Sequence, residues 1–190
     1  MPSPLPWLSQ GDIFSSVPIV DLNLAGGQLT SSLPMGPAIL LTHGCAIDKV
    51  SKVDGRPRAE FVQFSRLRLM GVLPADRQGL LRRERLTPYE AVYAGNVSGL
   101  GEAYFLLSEV YFLPFAYFSP AASDFTGHPD APDDVERYIV ANEHDTRIDR
   151  LNSKRIALLH EKMSAFWTRQ VAADDGAPAP SFWRRLWRHG

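Results

Sequence analysis

The spacing of the apolar residues limits the fold of this chain more than any other feature. Short apolar or alternating runs, broken by Gly and Pro, precede one long amphipathic stretch near residues 153–171. The apolar residues of that stretch recur at helical spacing: Ile156, Leu159, Met163, Phe166 and Trp167. This pattern predicts one helix, with Ser153 as its N-cap, that packs an apolar stripe across a sheet. We therefore expect one mixed α+β domain.

Five runs have the short apolar or alternating pattern that is typical of strands. They are Ile13–Val20, Pro37–Thr42, Glu60–Leu69, Tyr138–Val140 and Asp145–Leu151. The aromatic residues within Glu102–Phe118 predict a hairpin or a bent pair of strands. Turn-forming residues predict loops over residues 23–36 and 119–136.

Residues 75–94 are predicted to be an inserted helical segment. Leu80 to Arg85 favour helix, and Pro88 is suited to start a second short helix that includes Val92 and Tyr93. The expected organisation has three parts. These are a Pro-rich lead-in over residues 1–10, the domain over residues 11–171, and a linker with an aromatic-basic tail over residues 172–190.

Composition limits the classes of function. A net charge of -1 argues against a general nucleic-acid coat, which needs a strong positive excess. The single cysteine rules out an internal disulfide. No apolar run approaches the length of about 18 residues that a spanning helix needs. Because no Lys or Arg precedes Lys49, a secretory signal is not expected, and we expect a cytoplasmic protein.

The densest cluster of reactive side chains follows the second predicted strand. It contains His43, Cys45, Asp48 and Lys49. A histidine beside a thiol can stabilise the thiolate and so create a nucleophile. The alternative is that Cys45 is a small buried hydrophobic residue.

A metal site is a further alternative for the same cluster. Zinc accepts ligands of the types found in His43, Cys45 and Asp48, to which His144 and Asp145 could be added. No close pair of ligands beyond His-x-Cys supports it. We therefore expect no metal and no cofactor.

Three segments resemble the plasmid-maintenance and growth-inhibitor toxins of the PemK/MazF type. Gly11-Asp12-Ile13 and Gly36-Pro37-Ala38-Ile39-Leu40-Leu41 are similar to the first strands of that family. Asp145 to Leu151, followed by Lys154-Arg155-Ile156, is similar to its last strand and closing helix. The resemblance covers about half of the chain. Thr42-His43-Gly44-Cys45-Ala46-Ile47-Asp48 also resembles uncharacterised bacterial relatives of those toxins that carry a Ser/Thr-x-x-Cys motif.

The resemblance implies an SH3-like β-barrel with inserted helices and a C-terminal helix, usually as a homodimer. It also implies cleavage of single-stranded RNA by an Arg and a hydroxyl residue. Ser65 falls where the hydroxyl is expected, so the catalytic candidates are His43, Cys45, Asp48 and Ser65. Residues 21–36, where the family has its Arg, contain neither Arg nor Lys.

Basic residues supply a candidate RNA surface, with Tyr89 or Tyr93 as stacking platforms. The expected RNA-binding residues are Lys49, Arg66, Arg68, Arg82 and Arg83. The alternative is that Arg82 and Arg83 lie on the solvated face of the inserted helix, because Glu84 interrupts the basic run.

The tail has an amphipathic pattern typical of docking peptides. Its expected partner-binding residues are Phe182, Trp183, Arg184, Leu186 and Trp187. They suit a groove on a partner protein, such as an antitoxin, or weak contact with an anionic membrane surface. The alternative is that the tail folds back on its own domain.

These observations predict a toxin-like, nucleic-acid-associated protein of a bacterial conflict or defence system, with RNA endonuclease activity. The second hypothesis is a non-catalytic module that recruits a partner through its tail, and the absence of basic residues from 21–36 favours it. The third hypothesis is a Cys- or metal-dependent hydrolase.

Overall fold

A computed structural model describes residues 1–47, 57–83, 90–132, 137–142 and 145–173. The chain is mixed α+β, with antiparallel strand pairs and three helices, α1 (Gly44–Ile47), α2 (Ala75–Arg82) and α3 (Ser153–Ala173). The strands are β1 Asp12–Pro18, β2 Asp21–Ala25, β3 Gln28–Ser32, β4 Met35–Leu40, β5 Phe61–Arg66, β6 Arg68–Leu69, β7 Ala91–Val97, β8 Gly101–Leu106, β9 Val110–Pro114, β10 Ala121–Asp124, β11 Arg137–Val140 and β12 Arg147–Arg150. Among the described residues, 3-10 turns lie at Met70–Val72 and Phe115–Phe118.

The largest sheet has five strands in the order β12-β1-β4-β5-β9. A three-stranded sheet has the order β6-β8-β7, and β2-β3 and β10-β11 form separate hairpins. The mixed α+β class is therefore confirmed. Within the described ranges the strand pairings close no barrel.

Alternation along the strands places apolar side chains on both faces of the five-stranded sheet. One face carries the first core, made of Leu8, Phe14, Val17, Ile19, Ala38, Leu40, Ile47, Val62, Phe64, Leu113, Phe115, Phe118 and Ile139. The other face carries the second core, shared with the three-stranded sheet and α3. It contains Ile13, Ile39, Leu41, Leu67, Val92, Ala94, Val97, Ala103, Phe105, Leu107, Leu151 and Leu159.

The Pro-rich segment at residues 1–10 packs against the sheets. Trp7 is buried and stacks on Tyr138 with ring centroids 4.3 Å apart. The backbone N–H of Leu8 donates to the carbonyl oxygen of Ile139 over 2.8 Å. The prolines stop this segment from forming a helix, and its two large apolar residues anchor it.

The C-terminal helix lies where the sequence predicts it, but its cap is one residue earlier. The side-chain Oδ1 of Asn152 accepts a hydrogen bond of 3.0 Å from the backbone N–H of Arg155. Asn152 is therefore the N-cap, and Ser153 is the first helical residue.

Two other predictions of local structure are wrong in part. The predicted loop at 23–36 contains most of the β2-β3 hairpin, which turns at Gly26 and Gly27 with φ of 59° and 81°. The predicted helix from Pro88 is also wrong where it is described, because Val92 and Tyr93 belong to β7. The inserted helix itself is confirmed as α2.

Within the described residues, no helix combines the length and the apolar character that crossing a bilayer requires.

Candidate thiol-imidazole site

The reactive cluster lies between the end of β4 and the start of α1. The backbone N–H of Leu41 donates to Gln63 over 2.8 Å, and Thr42 Oγ1 accepts from the N–H of Gln63 over 2.7 Å. These bonds continue the pairing with β5 two residues beyond β4. The chain then turns into α1, which leaves the side chains of His43 and Cys45 exposed at the strand end.

The imidazole of His43 contacts its own cysteine twice. Nδ1 lies 3.0 Å from Cys45 Sγ and accepts the backbone N–H of Cys45 over 3.2 Å. Because Nδ1 accepts from that N–H, the neutral ring carries its proton on Nε2. The thiol proton of Cys45 can therefore point at the lone pair of Nδ1. This is the arrangement of a nucleophile beside its base.

A second imidazole lies beside the first. The rings of His43 and His160 have centroids 5.6 Å apart and are tilted by 31°. His160 Nε2 lies 2.7 Å from Gln10 Oε1, and Gln10 Nε2 donates to the carbonyl oxygen of Leu41 over 2.8 Å. That second bond fixes the orientation of the amide, because a carbonyl oxygen only accepts. Gln10 Oε1 therefore accepts from His160, whose Nε2 carries the proton.

Sequence reasoning missed His160 and Gln10 as members of the site. The signal for His160 was present in the pattern, because His160 follows Ile156 by four residues and precedes Met163 by three. This spacing places it at the margin of the apolar stripe that faces the sheet. Gln10 gave no such signal, since it precedes the first strand.

The expectation of an exposed hydroxyl at Ser65 is wrong. Ser65 pairs with Ile39 of the second core and is fully buried, and its Oγ donates to the carbonyl oxygen of Leu106 over 2.9 Å. A side chain in this position has no access to a dissolved substrate. The catalytic role of Ser65 stays a prediction without an accessible hydroxyl to support it.

The catalytic candidate His43 and the candidate RNA-binding residue Arg66 do not lie on one face of the sheet. Arg66 pairs with Ala38 of the first core, whereas His43 extends the row of Ile39 and Leu41 on the second-core face. The two side chains therefore start from opposite faces of the sheet. Arg66 is about half exposed, and its Nη1 lies 3.8 Å from Asp21 Oδ2.

Two of the other arginines predicted to bind RNA are held by carboxylates. Arg68 contacts both carboxylate oxygens of Glu109 over 2.8 Å, and Arg82 contacts Glu102 over 2.6 and 2.9 Å. The hydrogen bond from Arg82 lowers the pKa of Glu102 to about 2, so this carboxylate is charged at neutral pH. Arg83 is exposed just after α2. RNA binding by these residues stays a prediction.

Several predicted site residues lie outside the described residues. They are Asp48, Lys49, His144, Phe182, Trp183, Arg184, Leu186 and Trp187. Tyr89, a predicted stacking platform, is also outside them. In the part of the chain that the structure covers, no group of three or more His, Cys, Asp or Glu side chains is arranged to hold a metal ion.

A buried charge cluster lies at the start of β1, around Asp12. Asp12 is fully buried, and its Oδ2 accepts from Arg147 Nη1 over 3.0 Å and from the Ser9 N–H over 2.8 Å. Its Oδ1 has no hydrogen-bond partner among the described residues. Burial outweighs the attraction of Arg147 and raises the pKa of Asp12 to about 6.

Comparison with known proteins adds no family to these observations. No family model matches the sequence, and no curated protein matches it with significant similarity. A functional proposal therefore depends on the geometry of the site itself.

Proposed function

We propose that this protein is a cysteine-dependent hydrolase in which Cys45 is the nucleophile and His43 is its base. The observation that supports the proposal is the 3.0 Å contact between Cys45 Sγ and His43 Nδ1, with both side chains exposed. A thiolate is the reactive form of cysteine, and a neighbouring imidazole that accepts the proton creates it. The substrate class is an activated acyl compound, because acyl carbons are the usual targets of such a pair.

The reaction runs in two halves. The Sγ proton moves to Nδ1 of His43, and the sulfur attacks the acyl carbon of the substrate. The bond to the leaving group then breaks, and His43 returns its proton to that group. Cys45 is left as a thioester, which water hydrolyses to a carboxylic acid and the free thiol.

Intact-mass spectrometry with p-nitrophenyl acetate as the acyl donor tests this proposal. The wild-type protein is expected to gain one acetyl group and to release nitrophenolate. Cys45→Ala abolishes the adduct, since the chain has no other cysteine. His43→Ala slows its formation by about 10²-fold or more, which is the usual contribution of a base. A wild-type protein that neither gains an acetyl group nor releases nitrophenolate would exclude the proposal.

His128→Ala is the matched control for His43→Ala. His128 is part of the aromatic cluster around Trp7, with ring centroids 5.0 Å apart. It has no contact with Cys45 or His43 in the described structure. Adduct formation by this variant should equal that of the wild type, and an equal loss in both variants would point to damage to the fold.

A second candidate is the toxin-like, nucleic-acid-associated function, as an RNA endonuclease on an SH3-like barrel. The observation that favours it is the pair of exposed imidazoles, His43 and His160, with ring centroids 5.6 Å apart. One imidazole can take the proton of a ribose 2′-hydroxyl while the other protonates the leaving 5′-oxygen. This chemistry needs neither Ser65 nor an arginine.

The two candidates respond differently to the same substitution. Cleavage of mixed-sequence single-stranded RNA by the histidine pair should survive Cys45→Ala and be lost in His160→Ala. Hydrolysis through the thiol is lost in Cys45→Ala. If the protein neither cleaves RNA nor becomes acylated, both catalytic candidates fail. The non-catalytic interaction module is then the hypothesis to pursue.

A further inference from the structure

We infer that His160, oriented by Gln10, is the general base that activates water in the second half of the proposed hydrolysis. The inference rests on the proposed function and assigns it a further catalytic residue. His160 lies on α3, and the fold of the chain brings it next to the end of β4. Its partner Gln10 lies 150 residues away along the chain.

His43 is poorly suited to this second task. Its Nδ1 faces Cys45, where it contacts Sγ at 3.0 Å and accepts the backbone N–H at 3.2 Å. The backbone N–H stays in place after the sulfur is acylated and still points at Nδ1 over 3.2 Å. The Nε2 of His43 carries the proton in this tautomer and accepts nothing. The one accepting nitrogen of His43 therefore faces the acylated residue, whereas His160 supplies a second accepting nitrogen at the strand end.

His160 carries its proton on the same ring nitrogen, Nε2. Gln10 Oε1 accepts from His160 Nε2 over 2.7 Å, and the bond from Gln10 Nε2 to Leu41 fixes the amide in that orientation. The lone pair of the ring is thereby confined to Nδ1. The imidazole is exposed and its ring centroid lies 5.6 Å from that of His43, and we assign the activated water to its Nδ1. An oriented accepting nitrogen is what a general base requires.

The proposed step balances without any further reactant. Water attacks the thioester carbon of acylated Cys45 while His160 Nδ1 takes one of its protons. The carbon-sulfur bond breaks, and its electron pair returns to Sγ. The carboxylic acid leaves, and the proton on His160 passes to the thiolate. Cys45 is again a thiol and His160 is again neutral.

Burst kinetics with p-nitrophenyl acetate separate the two halves of the reaction. In His160→Gln we expect a normal burst of nitrophenolate, because acylation uses His43 and Cys45. The steady rate that follows should fall by at least about tenfold, and the acetyl adduct should persist in intact-mass spectra. His160 is exposed, so this substitution leaves the core unchanged.

Variants of Gln10 test the orientation of the imidazole. Gln10→Leu removes the acceptor for His160 Nε2 and should slow deacylation without changing the burst. Gln10→Glu keeps an acceptor oxygen in the same place and should restore the steady rate in large part. Equal steady rates in the wild type and Gln10→Leu would show that Gln10 does not position the ring.

Failure of the inference differs from failure of the proposed function. If the wild-type protein never forms an adduct on Cys45, the proposed function fails. If the adduct forms and His160→Gln clears it as fast as the wild type, His160 is not the base and the proposed function still stands. A burst lost together with the steady rate in His160→Gln would place His160 in the acylation half and overturn the inference.

Discussion

Two contacts to a single nitrogen decide what the strand-end residues can do. His43 Nδ1 faces the thiol of Cys45 and the backbone N–H of the same residue, so the ring is held in one tautomer. Cys45 is exposed and is not the buried hydrophobic residue that is the common fate of a free cysteine. Exposure and a base within 3.0 Å of Sγ are the two properties that a nucleophilic thiol needs.

Asp12 is the residue whose ionisation should be visible in the stability of the whole protein. Its folded-state pKa is raised to about 6 from 3.8, so between these pH values the folded protein holds a proton that the unfolded chain releases. The free energy of unfolding should therefore fall as pH rises through about 6. Two pKa units correspond to about 3 kcal/mol.

Denaturant unfolding of the wild type and Asp12→Asn from pH 4 to pH 7 measures this effect. The variant cannot ionise, so its stability relative to the wild type should rise across that range by up to about 3 kcal/mol. The opposite trend would mean that the ion pair with Arg147 lowers the pKa of Asp12.

At the scale of elements, α3 is the helix that carries His160. Its first turn sets the residue at which the helix begins, and its apolar stripe sets how it packs against the sheet. Leu159 is fully buried in the second core, and Ile156 and Met163 pack against the same core. Leu159 directly precedes His160 in the helix. The burial of Leu159 in the second core therefore determines the position of His160. The start of the helix is set by the side chain of Asn152.

Asn152→Ala should lower the free energy of unfolding by about 1 kcal/mol, because it removes the acceptor for the Arg155 N–H. Ser153→Ala is the matched control. Ser153 is exposed at the first helical position, so its replacement should change stability by less than about 0.5 kcal/mol. Chemical denaturation measures both. A larger loss in Ser153→Ala than in Asn152→Ala would assign the cap to Ser153, as the sequence predicts.

The sequence predicted the elements whose pattern is local. The period of the apolar residues identified α3, and short apolar runs identified β1, β4 and β5. The β2-β3 hairpin was missed because its leucines do not belong to a core: Leu22, Leu24 and Leu29 are about two-thirds exposed. The strand β7 was missed because Pro88 and Tyr89 looked like a helix start, whereas Val92 is fully buried in the second core.

At the scale of the whole molecule, the candidate site is assembled from three distant parts of the chain. Gln10 comes from the segment before β1, His43 and Cys45 from the end of β4, and His160 from α3. Sequence alone gave His43 and Cys45, because they are neighbours along the chain. It gave only the position of His160 at the margin of the apolar stripe and no signal for Gln10, because the packing of α3 against the sheet is what brings these two residues to the strand end.

The same packing explains the surroundings of three arginines that are predicted to bind RNA. Ser65 and Arg66 are neighbours in sequence, but alternation along β5 sends the first into the second core and the second to the opposite face. Arg68 pairs with Glu109, and Arg82 pairs with Glu102. No local sequence pattern predicts these two ion pairs. These residues are separated from their partners by loops and turns whose course the sequence does not determine.

The rate at which iodoacetamide alkylates Cys45 tests most directly whether His43 activates the thiol. The chain has one cysteine, so the rate belongs to Cys45 alone. At neutral pH we predict that the wild type reacts at least about tenfold faster than His43→Gln, because the imidazole next to Sγ can accept the thiol proton as the sulfur attacks. Equal rates in the two proteins would mean that the 3.0 Å contact does not activate Cys45.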